Sequence, residues 1–275
     1  MIILDGPLGT ELLARGVPTP IPLWSAWALL HRPEVVAAIH RDYAAAGATV
    51  HTTNTFRTKS RHLPDWERLA RGAVQLCRSA IPAEHRVAGS IAPLQDCYSP
   101  ELSPTDPRPE HRELIEVLAD EGVDILLCET FPHIGEGLVA VEEAVRTGVE
   151  TWASFTAGPD TDLLTPARIG EACARARDLG ASAVLVNCVP AARTLAYVEA
   201  IASVGLPFGA YANAGRLDEE MGWAPTEQGP ALYADIAARW VAAGATLLGS
   251  CCGTGPGHIA ELSRRFSSAP ASPDP

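Results

Sequence analysis

The chain has 275 residues, of which 47% are apolar, so it is long enough to bury a large core as one barrel-sized domain. Its 33 acidic side chains outnumber 21 Lys and Arg side chains, and the net charge of −12 disfavours nucleic acid as a partner and suits a cationic small ligand. The sequence enters a short apolar run at once, without a basic segment before it, and contains no apolar run of about 18 residues. We therefore expect a cytoplasmic protein with no membrane partner.

Seven cysteines, an odd number, favour free thiols and metal ligands over a disulfide framework in a reducing compartment. Cys77 and Cys173 fall on the apolar faces of predicted helices and are expected to be packing residues. The remaining thiols need an explanation of their own.

Short β-rich runs recur along the whole chain and predict eight strands. In chain order they are residues 2–5, 49–53, 86–91, 123–129, 149–155, 181–188, 206–211 and 246–248. Six of the runs follow a glycine, at positions 47, 122, 148, 180, 205 and 244. Each of these glycines is expected to end a helix in the left-handed backbone conformation.

The segments between the runs have the apolar spacing of helices, for example Val36, Ile39 and Tyr43. Prolines mark four of the predicted helix starts, at Pro33, Pro166, Pro230 and Pro256. Apolar strands separated by amphipathic helices indicate an α/β fold with a parallel sheet. Eight such units favour a single (β/α)8 TIM barrel, which we assign to residues 1–266, followed by a low-complexity, disordered tail at 267–275.

Barrel closure would bring the carboxyl ends of all eight strands to one mouth, where TIM-barrel active sites lie. The polar residues and cysteines at these ends are Asp5, Asn54, Glu129, Cys188, Cys251 and Cys252. Three connections after strands, at residues 6–33, 92–110 and 212–229, are longer than the barrel needs and should rim the mouth as lids or binding loops.

Cys188, Cys251 and Cys252 each lie where a strand gives way to a loop. Zinc held by three protein ligands keeps a fourth position for water or substrate, so three thiols at one mouth predict a catalytic zinc site. A strained disulfide between the adjacent cysteines, or simple burial of small apolar side chains, are the alternatives.

Several motifs together carry a resemblance to a known family. They are Asp5-Gly6-Pro7-Leu8-Gly9-Thr10-Glu11, Pro22-Leu23-Trp24-Ser25-Ala26, Thr52-Thr53-Asn54-Thr55-Phe56, Glu129-Thr130-Phe131, Val186-Asn187-Cys188 and Gly249-Ser250-Cys251-Cys252-Gly253-Thr254. From about residue 2 to 266 the chain resembles the homocysteine S-methyltransferases. The resemblance implies a zinc-dependent (β/α)8 barrel that methylates homocysteine to methionine.

The resemblance also implies a role for individual residues. Cys188, Cys251 and Cys252 match the zinc ligands, which are also the catalytic residues, and Asp5 and Glu129 match the acids that hold the amino group of homocysteine. Backbone N–H groups around Gly6 would take the substrate carboxylate. The family motifs that contain Asn54 and Asn213 add these two residues to the predicted substrate-binding set.

Charge then indicates a mechanism. Three cysteinates outweigh the two positive charges of Zn²⁺, so a bound homocysteine thiolate would keep much of its nucleophilicity. Zinc would activate and position the nucleophile.

The methyl donor is less determined by the sequence. Aromatic residues on the rim loops, at Trp24, Phe56, Tyr98 and Trp223, favour S-methylmethionine or another small onium compound, although the same side chains also suit loop packing. Gly253 follows the second cysteine of the pair where S-methylmethionine-type enzymes usually have Arg. The alternatives are a homocysteine-binding module that works with a separate corrinoid protein, and a zinc barrel for another thiol. Because no corrinoid-binding segment is evident in the sequence, the first hypothesis is favoured.

Overall fold

A computed structural model describes residues 1–214 and 229–267 of the chain, and within these ranges strands and helices alternate. The strands are β1 (Ile2–Ile3), β2 (Val50–Thr52), β3 (Arg86–Ile91), β4 (Ile125–Phe131), β5 (Glu150–Phe155), β6 (Ala183–Pro190), β7 (Phe208–Asn213) and β8 (Leu247–Ser250). The helices are α1 (Leu8–Ala14), α2 (Trp27–His31), α3 (Pro33–Ala45), α4 (Trp66–Ala80), α5 (Arg108–Asp120), α6 (Ile134–Arg146), α7 (Pro166–Leu179), α8 (Leu195–Ile201), α9 (Pro230–Ala242) and α10 (Pro256–Phe266). All eight predicted strands are present.

The sheet is parallel and closes on itself. Its strand order is β1-β8-β7-β6-β5-β4-β3-β2, and β1 pairs with β8 through Ile2 and Leu247. The last seam, between β1 and β2, is made by a bridge from Leu4 to Val50, where the Asp5 backbone N–H donates to the Val50 carbonyl at 3.0 Å. The predicted (β/α)8 TIM barrel is confirmed.

The glycines at the ends of helices explain the regular spacing of the units. All six glycines that precede predicted strands have positive φ, from +71° at Gly122 to +111° at Gly180. In this left-handed region a side chain is strained, so glycine reverses the chain from helix to strand at little cost. Prolines begin α3, α7, α9 and α10, as predicted.

Two apolar layers hold the barrel together. One fills its interior, with side chains from alternate strand positions such as Leu4, Val50, Leu127 and Leu247. The other lies between the strands and the surrounding helices. Cys77 and Cys173 are fully buried in this outer layer, which confirms that they are packing residues.

The long connections differ from the prediction in one respect. Residues 6–33 contain α1 and α2, because apolar side chains such as the fully buried Leu12 give this stretch a face to pack on the barrel. Residues 92–110 hold one 3-10 turn at Pro100–Leu102 before α5 begins. Most of the third connection, including Trp223, and the predicted tail from residue 268 onward lie outside the described residues. No helix in the described ranges is long and apolar enough to cross a membrane.

Candidate active site

A cavity of about 410 Å³ opens at the carboxyl ends of the strands. Its lining includes seven of the eight residues predicted for the site: Asp5, Gly6, Asn54, Glu129, Cys188, Cys251 and Cys252. A volume of this size suits ligands as small as amino acids. The eighth residue, Asn213, ends β7 and is buried outside the lining, and its side-chain amide has no hydrogen-bond partner among the described residues.

The three cysteines meet in this cavity although 63 residues separate Cys188 from Cys251. The three sulfur atoms lie within 4.8 Å of one another, and all three thiols are free. The Cys251 and Cys252 sulfurs are 3.9 Å apart, and the Cys188 and Cys251 sulfurs 2.8 Å, which is longer than a disulfide bond of about 2.05 Å. Neighbouring sulfurs on tetrahedral zinc, with Zn–S near 2.3 Å, lie about 3.8 Å apart. The Cys251–Cys252 spacing already matches this value, and the Cys188–Cys251 pair would have to widen by about 1 Å to hold the ion.

The charge of the thiols also fits a metal centre. Contact with the Cys251 thiol and, after it, burial hold the pKa of Cys188 well above the ordinary value for cysteine. The thiols of Cys251 and Cys252 have raised pKa values as well. Three neutral thiols in contact become thiolates when a cation offsets their charge, and a soft divalent ion such as Zn²⁺ is the cation that sulfur ligands select.

Cys188 is held in a strained backbone conformation by its neighbour Asn187. Cys188 has φ of +53° and Thr130, at the end of β4, has φ of +61°, and both lie where the strand register shifts. The Asn187 side chain joins these two positions: its Nδ2 donates to Thr130 Oγ1 at 2.7 Å and to Cys188 Sγ at 3.4 Å, and its Oδ1 accepts from the Thr130 backbone N–H at 3.1 Å. Strain of this kind persists where surrounding contacts enforce it, and here it aims a ligand into the cavity.

We expect Asn187→Ala to weaken zinc binding by about 10- to 100-fold, because a partner that orients a metal ligand contributes roughly that much. Competition with a chelator measures the change. Ser154→Ala is the matched control, since the Ser154 hydroxyl donates to Asn187 Oδ1 at 2.7 Å but leaves the contacts to Thr130 and Cys188 in place. A folded Asn187→Ala protein with unchanged zinc affinity would contradict the orienting role.

Glu129 projects into the cavity from β4 and is buried. Its Oε1 accepts from the Ser90 hydroxyl at 2.5 Å, and its Oε2 accepts from the Tyr211 hydroxyl at 3.0 Å. Burial raises the pKa of Glu129. The two hydroxyls hold the carboxyl group in place but carry no positive charge. A cationic ligand bound here would therefore be stabilised by the carboxylate.

Asp5 lines the same cavity and has no cationic partner within the described part of the chain. Its two oxygens accept from the backbone N–H and the hydroxyl of Thr52, at 2.9 and 3.0 Å, and burial raises the pKa of Asp5 to about 8. His40 and His51 have ligand atoms within 4.8 Å of Asp5, but burial lowers the pKa of His40 to about 3 and that of His51 to about 4. Both imidazoles are neutral at pH 7 and supply no positive charge to Asp5.

Gly6 and Asn54 occupy the wall between these acids and the rim. A side chain at position 6 would meet the hydroxyl of Tyr43 at 2.6 Å, so glycine keeps the backbone at the cavity surface. The Asn54 Nδ2 donates to the Ser25 carbonyl at 2.9 Å, and its Oδ1 has no partner among the described residues. Asn54 therefore ties the loop after β2 to the loop after β1 and keeps an acceptor free.

Three aromatic side chains line the rim of the cavity: Trp24, Phe56 and Tyr98. The rings of Trp24 and Phe56 pack edge to face, with centroids 5.6 Å apart. Gly9 lets Trp24 approach, because a Cβ there would lie 2.2 Å from the indole ring. Aromatic faces at this position suit a cationic ligand.

The fold and the site together define a (β/α)8 barrel with a three-thiol centre of the kind that holds a metal, next to two carboxyl groups suited to an ammonium. The family model for homocysteine S-methyltransferase matches residues 2–266, and the chain belongs to this family.

Individual relatives agree with this assignment over nearly their whole length. The chain is 30% identical to homocysteine S-methyltransferase of Escherichia coli (strain K12), over 96% of this chain and 95% of the relative. It is also 30% identical to homocysteine S-methyltransferase YbgG of Bacillus subtilis (strain 168), over 95% and 93%. The crystal structure of the metallated form of homocysteine methyltransferase MmuM from Escherichia coli superposes with a TM-score of 0.80 at 29% identity, covering 96% of each chain.

The residues that sequence reasoning missed are those that support the ligands. Ser90, Tyr211 and the Asn187 side chain contact Glu129 or Cys188 from other strands. Asn187 was part of a family motif, but only the fold shows that its amide joins β4 to the Cys188 thiol. Ser90 and Tyr211 lie at predicted strand ends, and that position was the available signal.

Proposed function

We propose that this protein transfers a methyl group from a small onium donor to the sulfur of homocysteine and forms methionine. The observation that carries the proposal is the pairing, in one cavity, of three close thiols with two buried carboxyl groups that have no cationic partner among the described residues. Homocysteine carries a thiol for the first group and an ammonium for the second. The names of the relatives support the same substrate.

Cys188, Cys251 and Cys252 are proposed to hold the zinc ion. When bound, zinc supplies the positive charge that lets the substrate thiol ionise near neutral pH. Glu129 and Asp5 bind the ammonium, and the backbone at Gly6 receives the carboxylate. Asn54 contributes a free amide oxygen to the same subsite. Asn213 is proposed to support the substrate subsite from the end of β7, outside the cavity lining.

The mechanism follows from these placements. Contacts to the ammonium fix one end of homocysteine, so its sulfur approaches the donor methyl in a restricted geometry. The thiolate attacks the methyl carbon as the bond from that carbon to the onium atom breaks, and the electron pair stays on the leaving group. Negative sulfur and positive onium become two neutral products, and a site that excludes water favours such charge neutralisation.

The pH dependence of ligand binding tests the role of Asp5. Its pKa of about 8 in the empty site means that an ammonium must displace a proton below pH 8. We expect the affinity for L-homoserine, which has the amino-acid group of homocysteine but no thiol, to rise by roughly tenfold per pH unit up to about pH 8 and then level off. In Asp5→Asn the rise should be much shallower. Calorimetry between pH 6 and 8.5 measures both, and an equally steep rise in the variant would exclude Asp5.

The donor is proposed to be S-methylmethionine or a related onium compound. Trp24 and Phe56 offer packed aromatic faces at the cavity rim, and the acidic net charge attracts a cation. The residue extent of the catalytic unit is proposed as 1–266. A free-thiol centre requires a reducing environment, so the proposed location is the cytoplasm.

One experiment decides between donors. Methionine formation from homocysteine is measured with S-methylmethionine, betaine, methylcobalamin and a methylated corrinoid protein side by side, using zinc-loaded protein. We expect turnover with S-methylmethionine. Turnover only with methylcobalamin or the methylated corrinoid protein would favour the partner-dependent alternative, and no methionine from any donor would refute the function.

A further inference from the structure

Arg57 is the one cationic side chain lining the cavity in the part of the chain that the structure describes. It follows Phe56 in the loop after β2 and is partly buried. The same lining carries the carboxyl groups of Asp5, Asp96 and Glu129. A lone guanidinium in an acidic cavity is expected to pair with one of these acids, yet no carboxylate of the described residues lies within ion-pair distance of Arg57.

The hydrogen bonds of Arg57 leave one edge of its guanidinium free. Nη1 donates to the Gln95 carbonyl at 3.2 Å, and Cζ lies 5.7 Å from the centre of the Phe56 ring. The buried Nε–H has no acceptor among the described residues. The edge formed by Nε and Nη2 is the one that binds a carboxylate through two parallel hydrogen bonds. A buried donor without an acceptor is costly, so a ligand that supplies one is favoured.

The position of Arg57 indicates which substrate supplies that carboxylate. The amino-acid group of homocysteine is proposed to lie at Asp5, Glu129 and Gly6. Arg57 belongs instead to the aromatic rim, next to the Phe56 ring that packs against Trp24. The aromatic pair is the proposed contact of the onium group.

We infer that Arg57 binds the carboxylate of the methyl donor and thereby orients the donor in the cavity. This inference rests on the proposed function and deepens it by naming the residue that would position the donor. The acidic lining attracts the onium end but repels a carboxylate, and Arg57 offsets that repulsion at one place. Because the Nε–H is covered, pairing with the donor requires the partly buried guanidinium to turn toward the cavity. The donor is thereby oriented, with its carboxylate at the rim and its methyl group toward the thiols.

Equilibrium binding of S-methylmethionine and its carboxamide tests the inference. L-Homoserine is present throughout to fill the homocysteine subsite without reacting. We expect Arg57→Gln to weaken S-methylmethionine binding by about 10- to 100-fold and binding of the carboxamide by less than about twofold. Arg57→Lys keeps the charge but loses the two parallel N–H donors, so its affinity for S-methylmethionine should lie between those of the wild type and Arg57→Gln. Arg41→Gln is the charge-matched control, because Arg41 is exposed on α3 and outside the cavity lining.

Binding needs no turnover, so this test separates the inference from the proposed function. Arg57-dependent binding in a protein that forms no methionine supports the inference and refutes the function. Unchanged S-methylmethionine binding by Arg57→Gln overturns the inference, as does an equal loss for donor and carboxamide. A wild-type protein that binds neither S-methylmethionine nor betaine overturns it too.

Discussion

A protein in which Cys251 and Cys252 are both replaced by serine should contain no stoichiometric zinc and should form no methionine. Zinc selects thiolates, and a serine hydroxyl stays protonated at neutral pH, so the ion would retain Cys188 alone. We expect zinc affinity to fall on the order of 10³-fold or more, since structural and catalytic zinc ions owe their affinity to the full ligand set. Metal analysis of the purified protein measures the loss.

Cys97→Ser is the matched control for this variant. Cys97 is another free thiol in the lining of the same cavity, outside the group of three close sulfurs. The Cys97→Ser protein should keep one zinc per chain and its methyltransferase activity. Stoichiometric zinc in the double variant would overturn the assignment of Cys251 and Cys252.

Chelation of the wild-type protein adds a separate check on the same site. Of the three proposed ligands, only Cys251 borders an apolar layer of the barrel, so far-ultraviolet circular dichroism should be unchanged without zinc. Loss of the fold on chelation would indicate a structural metal instead.

The second large effect is expected for Glu129→Gln, which should weaken homocysteine binding by about 10- to 100-fold while zinc content stays constant. The amide keeps the shape of the carboxylate and still meets Ser90 and Tyr211, but it loses the charge that pairs with the ammonium. Binding to zinc-loaded protein measures the change.

Glu116→Gln removes the same charge from an exposed position on α5 and should bind homocysteine as the wild type does. Equal affinities for wild type and Glu129→Gln would remove Glu129 from the substrate site. A loss of zinc in Glu129→Gln would show instead that the two parts of the site cannot be altered separately.

The barrel could be predicted because its signals are local. Gly122 and Gly180 end helices, and the apolar runs after them are too short and too regular to be anything but strands of one sheet. The meeting of Cys188 with Cys251 then followed from the rule that strand ends share one mouth.

The supporting contacts could not be predicted because they depend on side-chain directions across the barrel. Tyr211 reaches Glu129 over a separation of 82 residues, and the neutral state of His51 depends on how deeply the fold buries it. Asn213 shows the same limit, since a family motif placed it in the predicted substrate-binding set, whereas the described lining of the cavity does not include it. Helix α1 was not predicted because its short apolar face is stabilised only by packing against the barrel.

The amide of Asn187 has a consequence for the length of the substrate. By joining Thr130 to Cys188, it fixes the distance between the Glu129 carboxyl and the thiol centre through the sheet, independently of the rim loops. A rigid separation of this kind selects substrates by the length of the side chain between their ammonium and sulfur. Cysteine, one methylene shorter than homocysteine, cannot satisfy both ends and should react with a kcat/KM lower by about 10- to 200-fold. Competition between the two thiols for one methyl donor would measure that ratio, and equal use of both would mean that the two subsites move relative to each other.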